Sequence, residues 1–201
     1  MSLLLRLAAL WTPPPLARQE LDRVARVTTA ALDALLAEHA PLSLDRVRRE
    51  DPPAGGTLAE RRAALGQAHD RRVAALVQAL GREQAVALGR AALFPVGQQL
   101  GRDARARLGV GNGTADLLRA ARVLYRVLGI AFTVRRQDGQ PRFLRVHRCA
   151  LAAHYSAVTC AVLSATDEGV VQGLNPAARL RFQEYMPAGA AQCRATLEVV
   201  R

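Results

Sequence analysis

The feature that most constrains this chain is a change of period near residue 129. Between Leu16 and Leu128, apolar residues recur every three or four positions; from Ile130 onward they alternate with polar or smaller ones. The first spacing lays them along one stripe of a helix, and the second puts them on one face of a strand. A chain with this order has to pack helices against a sheet that it builds late.

The N-terminal run, Leu3 to Trp11, predicts a short helix lying on the body through Leu4, Leu7, Leu10 and Trp11, and Pro13 to Pro15 end it. Leu21, Val24, Val27, Leu32, Leu35 and Leu36 predict a helix from about Leu16 to His39. Pro41 breaks it, and Ser43 is placed to cap a short helix to Glu50. Asp51 to Gly56 (D-P-P-A-G-G) reads as a hinge, dividing a helical extension, 1–56, from an α+β domain, 57–201. Thr57 and Glu60 have the spacing of a capping box and open a helix to about Leu80. Residues 82–108 are again helical, with Pro95 expected to kink or split them. Gly89, Gly97 and Gly101 each cost about 1 kcal/mol of helix propensity relative to alanine. They mark either tight packing against another element or an opening toward a ligand.

Gly109 to Gly113 (G-V-G-N-G) is a turn; no Gly-Lys-Ser/Thr follows it, which excludes a phosphate loop. Thr114 is a candidate cap for a helix whose apolar face carries Leu117, Leu118, Ala121, Leu124, Tyr125 and Leu128. Strands follow over Ile130–Arg136 and Arg142–His147, joined by a turn at Asp138-Gly139. Helix is expected from Ala150 to Gly173, then strands over Arg179–Tyr185 and Cys193–Val199. The fold class is α+β: a helical N-terminal half followed by an antiparallel sheet packed against helices.

Hydrophobic residues make up 50% of the 201, enough for a core, while aromatics are only 4%, so Leu, Val and Ala must fill it. All 28 basic residues are arginine, and the formal net charge is +11. Such a field attracts anions, which points to a small anionic or zwitterionic substrate. No basic tract with interleaved aromatics appears, so specific nucleic-acid binding is not expected. Three cysteines, far apart, do not make a disulfide framework and suggest a reducing cytoplasm. The N-terminal apolar run is too short to span a bilayer, and Arg6 interrupts it, unlike a signal peptide. The long alanine- and leucine-rich helices need cover, which a homodimer would supply.

The residues able to carry chemistry gather between His147 and Cys193. Cys149 is expected where a strand gives way to a helix, so the helix dipole, with Arg148 and His147, would favour its thiolate. Its bland counterpart is a buried core cysteine. Cys160, eleven residues on, would lie about 16 Å away along an unbroken helix and meets Cys149 only if the helix starts late or bends. Asp167 falls two turns after Cys160, placed to orient a base, hold a substrate amine or move a proton. Cys193 opens the last strand and can return beside the other two. His147 and His154 are candidate acid–base groups or ligands. Three cysteines and a histidine suffice for zinc in principle, but no close C-x2–4-C pair is present, so no metal or other cofactor is expected. Asn175-Pro176 stops the helix and puts Asn175 at a pocket edge or in an ordinary loop.

The series Cys149, Cys160, Asp167, Gly173-Leu174-Asn175-Pro176, an alternating strand, Gly189 and Cys193 resembles the L-2-amino-thiazoline-4-carboxylic acid hydrolase family. More distantly it resembles the small-molecule-binding vinyl-4-reductase domain. The resemblance is specific from Cys149 to Cys193 and departs from the family pattern at Ala150 and at Thr159 and Ala161, which flank Cys160. It implies a hydrolase acting on a carbon–nitrogen bond of a small cyclic amidine or thiazoline. Cys149, Cys160, Asp167 and Cys193 would then be the catalytic positions, Cys149 the first nucleophile, with Arg148 or Arg194 pairing the substrate carboxylate. The alternative is a non-catalytic small-molecule-binding domain. A helical partner-binding protein would instead leave a large apolar face uncovered on its N-terminal half.

Overall fold

In the computed structural model, which describes residues 2–53, 55–135 and 142–199, the change of period is the boundary between helices and sheet. Among the described residues six helices come first: α1 (Leu3–Leu10), α2 (Pro14–His39), α3 (Pro41–Arg49), α4 (Leu58–Leu80), α5 (Arg82–Leu108) and α6 (Thr114–Val127). Strands β1 (Ile130–Arg135) and β2 (Arg142–Cys149), helix α7 (Ala157–Leu174), and strands β3 (Ala178–Glu184) and β4 (Cys193–Val199) complete the chain. This is the expected α+β architecture with a helical N-terminal half. The turn at Asp138-Gly139, and Arg136, lie outside the described residues.

The strands form one antiparallel sheet in the order β1-β2-β4-β3. Alternation puts Leu144, Val146, Leu180, Ala195 and Leu197 on one buried face. That face packs against Leu117, Ala120, Ala121 and Tyr125 of α6 and Val171 and Leu174 of α7. A second cluster joins Leu32 and Leu36 of α2 to Val73 and Leu76 of α4, Leu93 of α5 and Val162 of α7. Helices α2 and α3, through Leu32, Leu36 and Val47, thus share a core cluster with α4, α5 and α7. Arg72 reinforces this: it is 2% exposed and reaches Asp33 of α2 at 2.6 Å and Asp51 at 2.7 Å.

Helix α7 lies against α5, and glycine makes the approach possible. A Cβ at Gly97 or Gly101 of α5 would overlap the Thr166 or Val170 carbonyl. One at Gly169 or Gly173 of α7 would overlap the Phe94 or Gln98 carbonyl. The glycines are spaced four apart on both helices, so each pair shares a face. Tight packing, rather than an opening, explains Gly97 and Gly101; Gly89 likewise sits under the Val162 side chain.

Local chemistry sets most boundaries. Thr57 and Glu60 form both bonds of the capping box. Gly109 and Gly129 adopt positive φ and stop α5 and α6. Several expectations need correction. Helix α5 runs through Pro95 without a split. Pro41 starts α3, so Ser43 lies within it and does not cap it; Gly113, not Thr114, is the capping residue of α6. The α1 helix does lie on the body, but through Leu5, which is fully buried, while Leu4, Leu7, Leu10 and Trp11 face outward. A segment with leucine at five of its eight positions carries no period from which a face can be chosen.

Candidate functional site

The site is built by a helix that starts late. Ser156 caps α7, its side chain accepting from the Thr159 N–H at 3.1 Å. Asp70 of α4 fixes that cap from outside, accepting from the Ser156 N–H at 2.8 Å and the Thr159 hydroxyl at 2.6 Å. A short 3-10 turn, Ala152–His154, fills the gap after β2. Cys160 thus lies in the first turn of α7 and comes back beside the end of β2. Cys160, Leu163, Ser164 and Asp167 follow at i, i+3, i+4 and i+7, one face of the helix. They line a cavity together with Cys149 and Cys193. Cys193 pairs with Val146, three residues before Cys149, so the sheet register brings the two strand ends to the same place.

The cavity measures about 80 Å³, room for roughly three waters at about 30 Å³ each. Its walls are mainly apolar: Leu65, Leu128, Ile130, Val146, Leu151 and Phe182. A smaller space of about 60 Å³ shares Tyr125, Thr166 and Asp167 with it. Thr166 is buried, and its hydroxyl has no hydrogen-bond partner, one of few such atoms among the described residues.

The three thiols are not equivalent. The Cys160 thiol donates to the Cys193 sulfur, which pushes Cys160 up and holds Cys193 down at about 7. The Met186 N–H also donates to the Cys193 Sγ, at 3.4 Å. Cys193 is therefore the sulfur prepared to carry negative charge. Cys149 goes the other way. Burial pushes its thiol up to about 11, outweighing the Leu151 and Ala152 N–H groups that face it. The expected activation by a helix dipole is missing because α7 begins eight residues later, at Ala157. Asp167 is pushed up to about 7 by burial, against the opposing effect of the Tyr125 hydroxyl that donates to it. Near neutral pH it can both give and take a proton.

His69 of α4 also lines the cavity. Burial lowers its ring to about 3, so it is neutral. The Thr28 hydroxyl spends its one proton on the Val24 carbonyl at 2.7 Å, and so accepts from His69 Nε2 at 2.8 Å. His69 Nδ1 then accepts from the Tyr155 hydroxyl at 2.7 Å. Both ring nitrogens are used, and the ring is a fixed wall of the cavity.

The remaining expected residues do not reach this space. His147 and Arg148 are exposed. His154 is half-buried and packs against Gly66. Asn175 is buried but ties a loop, donating to the Asn112 carbonyl at 2.9 Å and accepting from the Ala177 N–H at 3.0 Å. Arg194 lies over the Phe143 ring and pairs with Glu184 at 3.5 Å. Among the described residues no arginine lines the cavity, so the expected pairing of a substrate carboxylate by Arg148 or Arg194 has no counterpart there. Among the described residues no three His, Cys, Asp or Glu side chains are arranged to hold a metal ion. Sequence reasoning missed His69, Tyr125, Tyr155 and Thr166. For His69 a signal existed: it sits four residues from both Leu65 and Val73, a polar ring on the buried stripe of its helix.

No protein-family model matches the chain, and no curated protein matches it. Among solved structures it is similar to trafficking protein particle complex subunit 3 from Naegleria fowleri, a structure covalently bound to palmitic acid. The two share 14% identity at a TM-score of 0.47, covering 71% of this chain and 98% of that one. That likeness is too slight to carry an argument about either fold or function.

Proposed function

We propose that the chain is a small-molecule-binding domain whose cysteine-bearing cavity takes a small, neutral, mostly apolar ligand with one polar group. The observation that supports this best is the buried, unpartnered hydroxyl of Thr166, a residue in the wall of a mainly apolar cavity. A buried hydroxyl without a partner costs about 1–3 kcal/mol. A ligand that bonds to it recovers that cost and covers apolar wall at the same time. A free carboxylate has no cation to meet inside. The test is a thermal-shift and NMR screen of small alcohols, phenols, amides and cyclic amidines. Binders should raise the melting temperature and slow alkylation of Cys193, and Thr166→Val should weaken them while leaving the free protein folded. If no compound protects Cys193, the reading fails.

Carbon–nitrogen hydrolysis, of the kind carried out by the L-2-amino-thiazoline-4-carboxylic acid hydrolase family, is the second reading. The observation favouring it is that Cys193 and Asp167 both titrate near 7 beside one cavity. The Cys193 thiolate would attack the amidine carbon, displacing Cys149 from that role. Protonated Asp167 would give its proton to the departing nitrogen, and water would then release the product from sulfur. Hydrolysis of a cyclic amidine or thiazoline that is lost in Cys193→Ser and falls steeply in Asp167→Asn would establish it; bound substrate recovered unchanged would exclude it.

A further inference from the structure

Among the described residues, every exposed large hydrophobic side chain but Leu42 lies between Leu3 and Leu16. Leu3, Leu7, Leu10 and Trp11 fall at i, i+4, i+7 and i+8, which sets them along one side of α1. They are 54–81% exposed, and Leu16, at the start of α2, is 52% exposed. Isolated exposed leucines are ordinary, but a continuous apolar strip with a tryptophan at its end is not; Leu7, Leu10, Trp11 and Leu16 also wall one side of a groove whose other side is Leu108, Val123 and Leu124. The strip is anchored from behind. Leu5, on the opposite side of α1, is fully buried in the core with Leu117 and Ala120. Arg126 of α6 donates to the Ala9 carbonyl at 2.7 Å and ties down the far end.

Charge distinguishes what the strip fits. No acidic residue occurs before Glu20, and Glu20 is matched by Arg107 and Arg23. Arg6 of α1 and Arg18, two residues after Leu16 in α2, are exposed, with no ion pair to a carboxylate among the described residues, and Arg126, which bonds to the end of α1, is exposed as well. The whole chain carries +11. An apolar strip with tryptophan at its edge, bordered by arginines and by one acidic residue, Glu20, that is itself paired with arginine, matches the layered chemistry of an anionic membrane surface. Acyl chains lie under a belt that favours indole, and phosphates lie above it.

We propose that α1 and the start of α2 form a membrane-docking surface that lies in the interface of an anionic phospholipid bilayer. Leu3, Leu7, Leu10 and Trp11 enter the acyl boundary, while Arg6 and Arg18 contact phosphate. No described helix is long and apolar enough to cross a membrane, so the contact is peripheral and reversible. Each arginine at such a surface contributes roughly fivefold to affinity.

The chain has a single tryptophan, which reports directly. The full-length protein is mixed with phosphatidylcholine vesicles, with or without phosphatidylglycerol, and followed by Trp11 emission and co-sedimentation. Anionic vesicles should shift the emission to the blue and sediment the protein; neutral vesicles should do so far less. Arg6→Gln with Arg18→Gln should lower affinity for anionic vesicles by about 25-fold. Leu7→Gln with Leu10→Gln, at sites whose side chains already face outward, should abolish the emission shift. Unchanged emission with anionic vesicles, or equal binding by both double variants and wild type, would overturn the proposal. A concentration-dependent dimer that buries Trp11 without lipid would overturn it in favour of a second copy of the chain.

Discussion

Two groups at the cavity, the half-buried Asp167 and the buried His69, should oppose each other in the pH dependence of stability, and removing either one should uncover the other. The Asp167 carboxyl titrates at about 7 in the fold, against an ordinary value of 3.8. Between those values the folded state holds more protons than the unfolded chain, so raising the pH costs stability. The slope is roughly 1.4 kcal/mol per pH unit. His69 does the reverse. Its ring titrates at about 3, against 6.5, so the unfolded chain holds more protons between those values and raising the pH adds stability at a similar slope. From about pH 4 to 6.5 the two contributions nearly cancel. Asp167→Asn leaves His69 alone, and stability should climb through that window. His69→Gln leaves Asp167 alone, and stability should fall. The assay is urea unfolding followed by far-UV circular dichroism at half-unit pH steps, with each variant compared to wild type. The sign of the slope is the readout, because either substitution also changes stability by a constant amount. If both variants keep the wild-type profile, Asp167 is not held as a neutral acid and His69 is not buried as a neutral ring.

Local geometry sets three more outcomes. Gly97→Ala drives a methyl into the Thr166 carbonyl and should destabilise by about 3 kcal/mol, read by the urea midpoint, with loss of whatever binds beside Thr166. Thr57→Ala removes the capping box at the start of α4 and should cost about 1 kcal/mol with no effect on thiol reactivity. Cys160→Ala removes the S–H that donates to Cys193, so the titration of Cys193 should move up from about 7, followed by thiolate absorbance or alkylation rate.

The parts of this molecule that were legible in its sequence are those decided by neighbours along the chain. The capping box at Thr57 and Glu60, the stops at Gly109 and Gly129, and the change from helix to strand at Ile130 each depend on a few adjacent residues. Gly97 and Gly101, whose cost in propensity pointed to either tight packing or an opening, lie where α5 and α7 meet. What depended on tertiary partners was not legible. Ser156 caps α7 with Asp70, 86 residues away, as its outer support, and that delayed start is what brings Cys160 to Cys149. The same delay takes Cys149 away from a helix terminus, so burial decides its titration. The outward face of α1 was misread because nearly every position there is apolar. The neutral His69 needed Thr28 and Tyr155, from two other elements, to be placed.

The most direct test of a cavity built around Cys193 is site-resolved alkylation of the native protein with iodoacetamide across a pH series, each thiol followed by peptide mass. Cys193 should label first, with a midpoint near 7, and Cys149 should stay unreactive until well above its ordinary range. Pocket-filling neutral compounds should slow labelling of Cys193. A Cys149 that reacts before Cys193 would contradict this assignment and return the nucleophile to the end of β2.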